Sequence, residues 1–311
     1  MNQNRRSFLK NSLAFSAGVA LSSFHYPLFG SKTNANSDFK ISLAQWSFNN
    51  TLFDNEFSNL DFLVKAKELG IDAVEYVNSF FENAGEKYLR RLLNVTNDNG
   101  VNNLLIMVDR EGNLGDTDSK ARKQSIENHY KWIDAAKFLG CHSIRVNARG
   151  EGTAEEVADA AVDGLGRLTE YGKKSEINVI VENHGGYSSN GQWLADVISR
   201  VNSPHCGTLP DFGNFCIEFE NTNGNRKCVE EYNRYKGVKE LMPYAKGVSA
   251  KSYDFDEDGY ETTIDYEKMI RIVQKSGYKG YIGIEYEGRR LSEKDGILAT
   301  KRLLEKVFQK L

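Results

Sequence analysis

From residue 40 to the C-terminus, short apolar runs alternate with longer runs of mixed polarity. The short runs are KISLAQW (40–46), DAVEYV (72–77), NLLIMV (103–108), HSIRVN (142–147), INVIVE (177–182), CGTLPD (206–211), KGVSAK (246–251) and YIGIE (281–285). Their length and β-branched content predict strands buried on both faces. Each is followed by a stretch of helical apolar spacing, over 56–69, 84–99, 119–139, 153–174, 190–200, 228–241, 264–276 and 292–310. Gly70, Gly100, Gly140 and Gly277 stand where helices stop before strands, the place of a C-terminal cap. Eight strand–helix units predict an α/β fold, a single (β/α)8 TIM barrel. The rival is an open doubly wound sheet, which wants a Gly-rich turn after its first strand. Ser47-Phe48-Asn49-Asn50 contains no Gly. The one long connection, Phe212 to Lys227, follows the sixth strand.

The chain ahead of the barrel reads differently. Asn4-Arg5-Arg6-Ser7-Phe8-Leu9-Lys10 is a twin-arginine pattern, and Ser12–Phe29 is moderately apolar and free of acids. This is the layout of a twin-arginine export signal. It is too serine-rich and short for a stable membrane span. Residues 1–37 are therefore expected to be signal peptide and linker, residues 38–311 the barrel, and the protein periplasmic. Cleavage is expected within Ser31–Ser37.

Net charge is −3, which leaves no basic footprint for nucleic acid. Four cysteines, Cys141, Cys206, Cys216 and Cys228, are too few and too scattered for a disulfide scaffold or a paired-cysteine metal site. Cys216 and Cys228 share one predicted loop, so a bridge is one reading. Two buried thiols is the expectation.

In such a barrel, chemistry gathers at the C-terminal ends of the strands. Those ends carry Gln45 and Trp46, Glu75, Asp109, Asn147, Glu182 with His184, Asp211 with Asn214, Lys251, and Glu285 with Glu287. Acids at that density repel unless a cation or a shared proton offsets them. Oxygen-rich sets suit Mg2+ or Mn2+, or Zn2+ if a histidine joins. Of five histidines only His184 falls on this rim. Trp46, Phe48 and Trp193 are candidates for stacking on a sugar face, against simple packing. Arg289 and Arg290 read as a solvated basic turn. Asp254 to Asp265 mimics a calcium loop, but the twelfth position is Asp rather than Glu, so an acidic turn is expected.

The motifs VIVENHGG (179–186), LPDFGNF (209–215), VSAKSYDF (248–255) and IGIEYEG (282–288) resemble those of the xylose isomerase-like TIM-barrel family, the sugar phosphate isomerases and epimerases. The resemblance runs from residue 40 to 311. It implies one divalent metal held by a Glu, an Asp, a His and a Glu after strands five to eight. It also implies that the two Glu take and return protons at adjacent sugar carbons. Glu182, Asp211 and Glu285 match, whereas Ser249 stands where the family has its His. Either His184 or water completes a modified site, or the ammonium of Lys251 supplies the charge without a metal.

Removing a proton α to a carbonyl requires a placed carboxylate base and something positive on the developing oxyanion. The expected assignments follow. Glu182, Glu285 and Lys251 are catalytic. Trp46, Glu75, Asn147, His184, Asn214 and Glu287 bind substrate. Glu182, Asp211, Glu285 and His184 hold Mn2+, Mg2+ or Zn2+. The expected activity is isomerisation or epimerisation of a small sugar. Alternatives are β-elimination from a 3-keto-glycoside, and a non-catalytic sugar-binding barrel.

Overall fold

A computed structural model describes residues 39–222 and 225–311. The predicted export leader lies outside the described residues. In chain order the elements are β1 (Phe39–Ala44), α1 (Asn49–Phe53), α2 (Asn59–Glu68), β2 (Ala73–Val77), α3 (Glu86–Asn99), β3 (Asn102–Met107), α4 (Ser119–Leu139), β4 (Ser143–Val146), α5 (Ala154–Lys174), β5 (Asn178–Glu182), α6 (Gly191–Val201) and β6 (Cys206–Leu209). There follow β7 (Cys216–Thr222), β8 (Asn225–Glu231), α7 (Arg234–Leu241), β9 (Val248–Ser252), α8 (Tyr266–Lys275), β10 (Gly280–Tyr286) and α9 (Glu293–Phe308).

Eight strands form one parallel sheet in the order β6-β5-β4-β3-β2-β1-β10-β9. Its two ends meet. Thr208 bridges Ala245 and Asp211 bridges Ser249, both in parallel. Ser249 N donates to Pro210 O at 2.9 Å, and Phe212 N to Ser249 O at 3.1 Å. That seam closes the sheet into a TIM barrel, as the strand–helix alternation predicts.

Helix boundaries follow from local capping chemistry. Ser58 with Asp61 and Thr153 with Glu156 form capping boxes at the starts of α2 and α5. Asp118, Asn190, Asn233, Asp265 and Ser292 cap α4, α6, α7, α8 and α9 with side-chain oxygens. Gly100 and Gly140 end α3 and α4 in the left-handed conformation, φ 61° and 75°, which only Gly adopts without cost.

Two apolar cores result. The larger lies between strands and helices and includes Phe62, Leu63, Leu92, Ile133, Leu168 and Ile270. Burying each such side chain contributes about 1.5–3 kcal/mol. The smaller fills the barrel interior with Ala44, Val77, Leu105, Met107, Ile180 and Leu209, with Trp46 and Phe80 packed against it. Alternation along the strands then turns Arg145, Glu182, Asp211, Ser249, Lys251 and Glu285 toward the same interior.

Three expectations need correction. The first strand stops at Ala44, and Gln45–Phe48 coil into a 3-10 turn leading to the short α1. The predicted helix 228–241 begins only at Arg234, because residues 225–231 pair antiparallel with 216–222 as a hairpin. Cys216 and Cys228 are not separate thiols but a disulfide across that hairpin. Cys141 and Cys206 are the buried free thiols.

Candidate active site

Strand register builds the site. Lys251 is paired with Glu285, and Asp211 with Ser249, so four inward groups meet at the β6–β9–β10 seam. Glu182 closes β5 beside them. Glu182, Asp211 and Glu285 are 1%, 0% and 3% exposed. One carboxylate oxygen from each lies within 4.8 Å of the others. Among the described residues this is the group of acids and histidines placed to share an ion.

The partners of each carboxylate are specific. Asp211 Oδ1 accepts from the backbone N of Gly213 and Asn214, both at 2.8 Å. Asp211 Oδ2 takes the Ser249 hydroxyl at 2.6 Å, and Glu285 Oε2 faces the same hydroxyl at 2.8 Å. A hydroxyl carries one proton, so both contacts are hydrogen bonds only when one carboxyl brings a proton of its own. Burial pushes Asp211 up to about 6, against the pull of Lys251. Glu182 Oε1 accepts from Asn214 Nδ2 at 2.9 Å. Its Oε2 lies 2.9 Å from Arg145 Nε, yet neither atom makes a hydrogen bond. That contact is Coulombic and leaves a sealed carboxylate oxygen with capacity to accept. Burial raises Glu182 well above the usual range, and Arg145 opposes the rise.

Two buried cations offset the acids. Lys251, 1% exposed, has its Nζ 2.9 Å from Glu287, 3.3 Å from Glu285 and 3.9 Å from Asp211. Burial alone would strip its proton, but Glu285, Asp211, Glu287 and Glu182 outweigh burial and hold the ammonium charged. Arg145 spans Glu182 and Asp109, the latter at 2.9 Å. Arg145 is not among the residues the sequence singles out. Its signal was an arginine inside an apolar strand, two positions before Asn147 and so on the same face. Asn183, likewise outside that set, accepts from Asp211 N at 2.8 Å and donates to the carbonyls of Asp211 and Asn214.

The remaining rim residues fall into three groups. Glu75 lies a layer deeper than expected. It is 2% exposed, accepts from Ser42 Oγ at 2.6 Å, and leaves Oε2 without a partner. Gly283 makes its room, since a β-carbon there would lie 2.8 Å from Oε2 and closer still to Oε1. Burial pushes Glu75 up to about 7. His184 stands outside the three-carboxylate group. Its Nδ1 is 2.9 Å from Asn147 Oδ1 and 3.1 Å from Arg149. Burial, Arg145 and Arg149 push it down to about 3, so it is neutral. Trp46 packs with Phe53 and Phe80 in an aromatic cluster reaching the mouth. Phe48, by contrast, is core, stacked edge-on against Phe57 and Phe62. Trp193 donates to Ala154 O and packs on Tyr187.

The two loop motifs behave as turns. Arg290 binds Asp254 at 2.6 Å and the Phe255 carbonyl. Asp256 accepts from the backbone N of Asp258 and Tyr260, and Asp265 caps α8.

A closed eight-stranded parallel barrel with acids converging from β5, β6 and β10 defines the class of the chain: a TIM barrel with its polar site at the strand C-termini. A family model described as xylose isomerase-like TIM barrel matches residues 63–307, and the chain belongs to that family. The α subunit of a C-glycoside deglycosidase from Arthrobacter globiformis is 39% identical over 66 residues, 20% of this chain and 19% of that protein. The chain therefore matches about a fifth of that relative's length. The fold is similar to 3-keto-D-glucoside 4-epimerase from E. coli, with TM-score 0.66, 13% identity, and 87% and 99% of the two chains covered. It is also similar to a xylose isomerase-like TIM barrel protein from Mycobacterium smegmatis in complex with magnesium, with TM-score 0.63, 17% identity, and 88% and 97% covered.

Proposed function

We propose that this chain is a sugar isomerase or epimerase that moves a proton α to a carbonyl between substrate and carboxylate. The observation that carries the reading is the buried convergence of Glu182 and Glu285 from β5 and β10, with Asp211 between them. Two converging carboxylates can serve as base and acid on neighbouring positions of one small substrate. Glu182 is oriented by Arg145 and Asn214, and Glu285 by Ser249 and Lys251. Burial, which raises Glu182 above the ordinary carboxylate range, suits a group that must release a proton as well as accept one. Lys251 stays charged and stabilises negative charge developing beside Glu285.

The donor set fits a divalent metal. Three carboxylates and the Ser249 hydroxyl are all oxygen, and Glu182 Oε2 is sealed without a hydrogen bond. Such a set favours Mg2+ or Mn2+ over Zn2+. Glu182, Asp211 and Glu285 would hold the ion. When bound, it would supply Lewis-acid polarisation of the substrate carbonyl. His184, paired with Asn147, is left free for substrate.

A second reading is a lyase acting on 3-keto-glycosides. The short match to a C-glycoside deglycosidase subunit is what favours it. The same bases would remove the proton α to the keto group, and a β-substituent would leave. The twin-arginine pattern supports a periplasmic site of action and a neutral sugar or glycoside as substrate. The test is turnover of a panel of ketoses and 3-keto-glucosides, with and without chelator. A new sugar isomer supports isomerase or epimerase; release of the aglycone supports lyase. No turnover of any member would sink both.

A further inference from the structure

The side of the mouth made by β3, β4 and β5 holds a second polar network, joined to Glu182 through Arg145. Asp109 Oδ1 accepts from Arg145 Nη1 at 2.9 Å and from Asn147 Nδ2 at 2.8 Å. Asn147 Oδ1 is 2.9 Å from His184 Nδ1. Arg149 Nη2 donates to the His184 carbonyl at 2.9 Å and lies 3.1 Å from Nδ1. We infer that Asp109 and Asn147 are positioning residues that lock His184 in the Nδ1–H tautomer, so that its bare Nε2 accepts a hydrogen bond from a hydroxyl of the bound sugar. The sugar as ligand rests on the function proposed above; the tautomer does not.

The hydrogen-bond inventory forces the assignment. A carboxylate only accepts, so the Asn147 amide must turn its NH2 toward Asp109 and its oxygen toward His184. An amide oxygen also only accepts, so Nδ1 must carry the hydrogen. Arg149 asks for the opposite tautomer, since it would donate to a bare Nδ1. The Arg149 contact is the one given up: it is the longest of the set at 3.1 Å, Nη2 keeps the His184 carbonyl at 2.9 Å, and a bare Nδ1 would leave two acceptors facing each other at 2.9 Å across Asn147 Oδ1. Turning Asn147 over would instead set two acceptors against each other at 2.8 Å. A second proton on the ring would stand beside the Arg149 guanidinium. The ring is therefore neutral, and Nε2 has a lone pair. Nε2 makes no hydrogen bond to any described residue, and it is not among the sealed polar atoms, so it opens to solvent. His184 lies two residues beyond Glu182, at the same strand end. A bare acceptor there selects a hydroxyl donor, and an analogue lacking that hydroxyl leaves it unpaired.

The test is nitrogen NMR of the full chain with labelled histidines, using His184→Gln to assign His184. The expected spectrum has a protonated Nδ1 and a bare Nε2. Asn147→Ala should release the lock and give a mixture of tautomers; Asp109→Asn should do the same by freeing Asn147 to turn. A wild-type Nε2–H tautomer would overturn the inference; Nε2 coordinated on addition of Zn2+ would keep the tautomer and overturn the hydroxyl contact. On whichever panel sugar is turned over, His184→Gln, which places an amide oxygen near the Nε2 position, should raise KM less than a substitution with no acceptor. His184→Phe should raise KM about 10- to 100-fold with a smaller change in kcat. Equal KM for the Gln and Phe variants would refute the hydroxyl contact. Absence of any turnover, with the tautomer as stated, would count against the proposed function and leave the tautomer assignment standing.

Discussion

Replacing Lys251 with Met removes the one ammonium at the β6–β9–β10 seam while keeping most of its stem. In the wild type Nζ faces Glu287, Glu285 and Asp211 at 2.9, 3.3 and 3.9 Å in a site 1% exposed. Breaking a buried ion pair by deleting one partner costs about 3–5 kcal/mol, because the remaining charge is stranded. For a domain of this size that is roughly 6–20 °C in Tm. The loss depends on pH in a defined direction. Asp211 binds its proton more tightly folded, at about 6, than its ordinary 3.8. Its contribution to stability is fully present below 3.8 and is lost as pH rises through about 6. Without Lys251, which pulls that value down, the loss is larger. The variant should therefore suffer more near pH 8 than near pH 5, where Asp211 carries a proton. The assay is thermal unfolding by circular dichroism of chelator-treated protein at both pH values. A shift below about 2 °C near pH 8, or equal shifts at both, would refute the electrostatic account of the seam.

Three further outcomes are expected. Asp211→Ala should lose metal and activity together, because Asp211 has no proton-transfer role of its own; elemental analysis should find about one equivalent of divalent metal in the wild type and none in the variant, whereas an active, metal-free wild type would leave Lys251 as the electrophile. Gly283→Ala should destabilise the barrel by about 1–3 kcal/mol, since its β-carbon would enter the Glu75 carboxylate, and denaturant melts should show the penalty shrinking in a Glu75→Ala background. Changing Arg5 and Arg6 to Lys should hold the protein in the cytoplasmic fraction, because recognition of the leader depends on the guanidinium pair; unchanged fractionation would exclude the export reading.

The barrel is legible in the chain because each strand–helix unit carries its own signal: an apolar run, a cap and an amphipathic stretch. The acids of the seam are legible for the same reason, as each ends an apolar run that must be a strand. What the sequence does not show is which inward group lies against which. Glu75 reads as a rim residue, yet β2 runs on to Val77 and Gly283 opens a hole, so it sits a layer down with Ser42. Arg145 acquires its role only when register sets β4 beside β5, which brings its guanidinium between Asp109 and Glu182. The hairpin had a local sign in Asn223-Gly224, the strongest two-residue turn signal. The charged stretch after it reads as the start of the helix over 228–241. The pairing of Cys216 with Cys228 follows from that hairpin, which brings opposite strands together, and not from the cysteines alone.

The central claim is that Glu182 and Glu285 exchange a proton α to a sugar carbonyl, and deuterium wash-in tests it without knowing the final product. The purified protein is incubated in D2O with each ketose and 3-keto-glucoside of the panel, and label at the carbon beside the carbonyl is read by NMR. The wild type is predicted to introduce deuterium there in at least one sugar, with Glu182→Gln and Glu285→Gln each slowing exchange at least about 100-fold. Exchange at the wild-type rate in both variants, or no exchange by the wild type on any member of the panel, would contradict it.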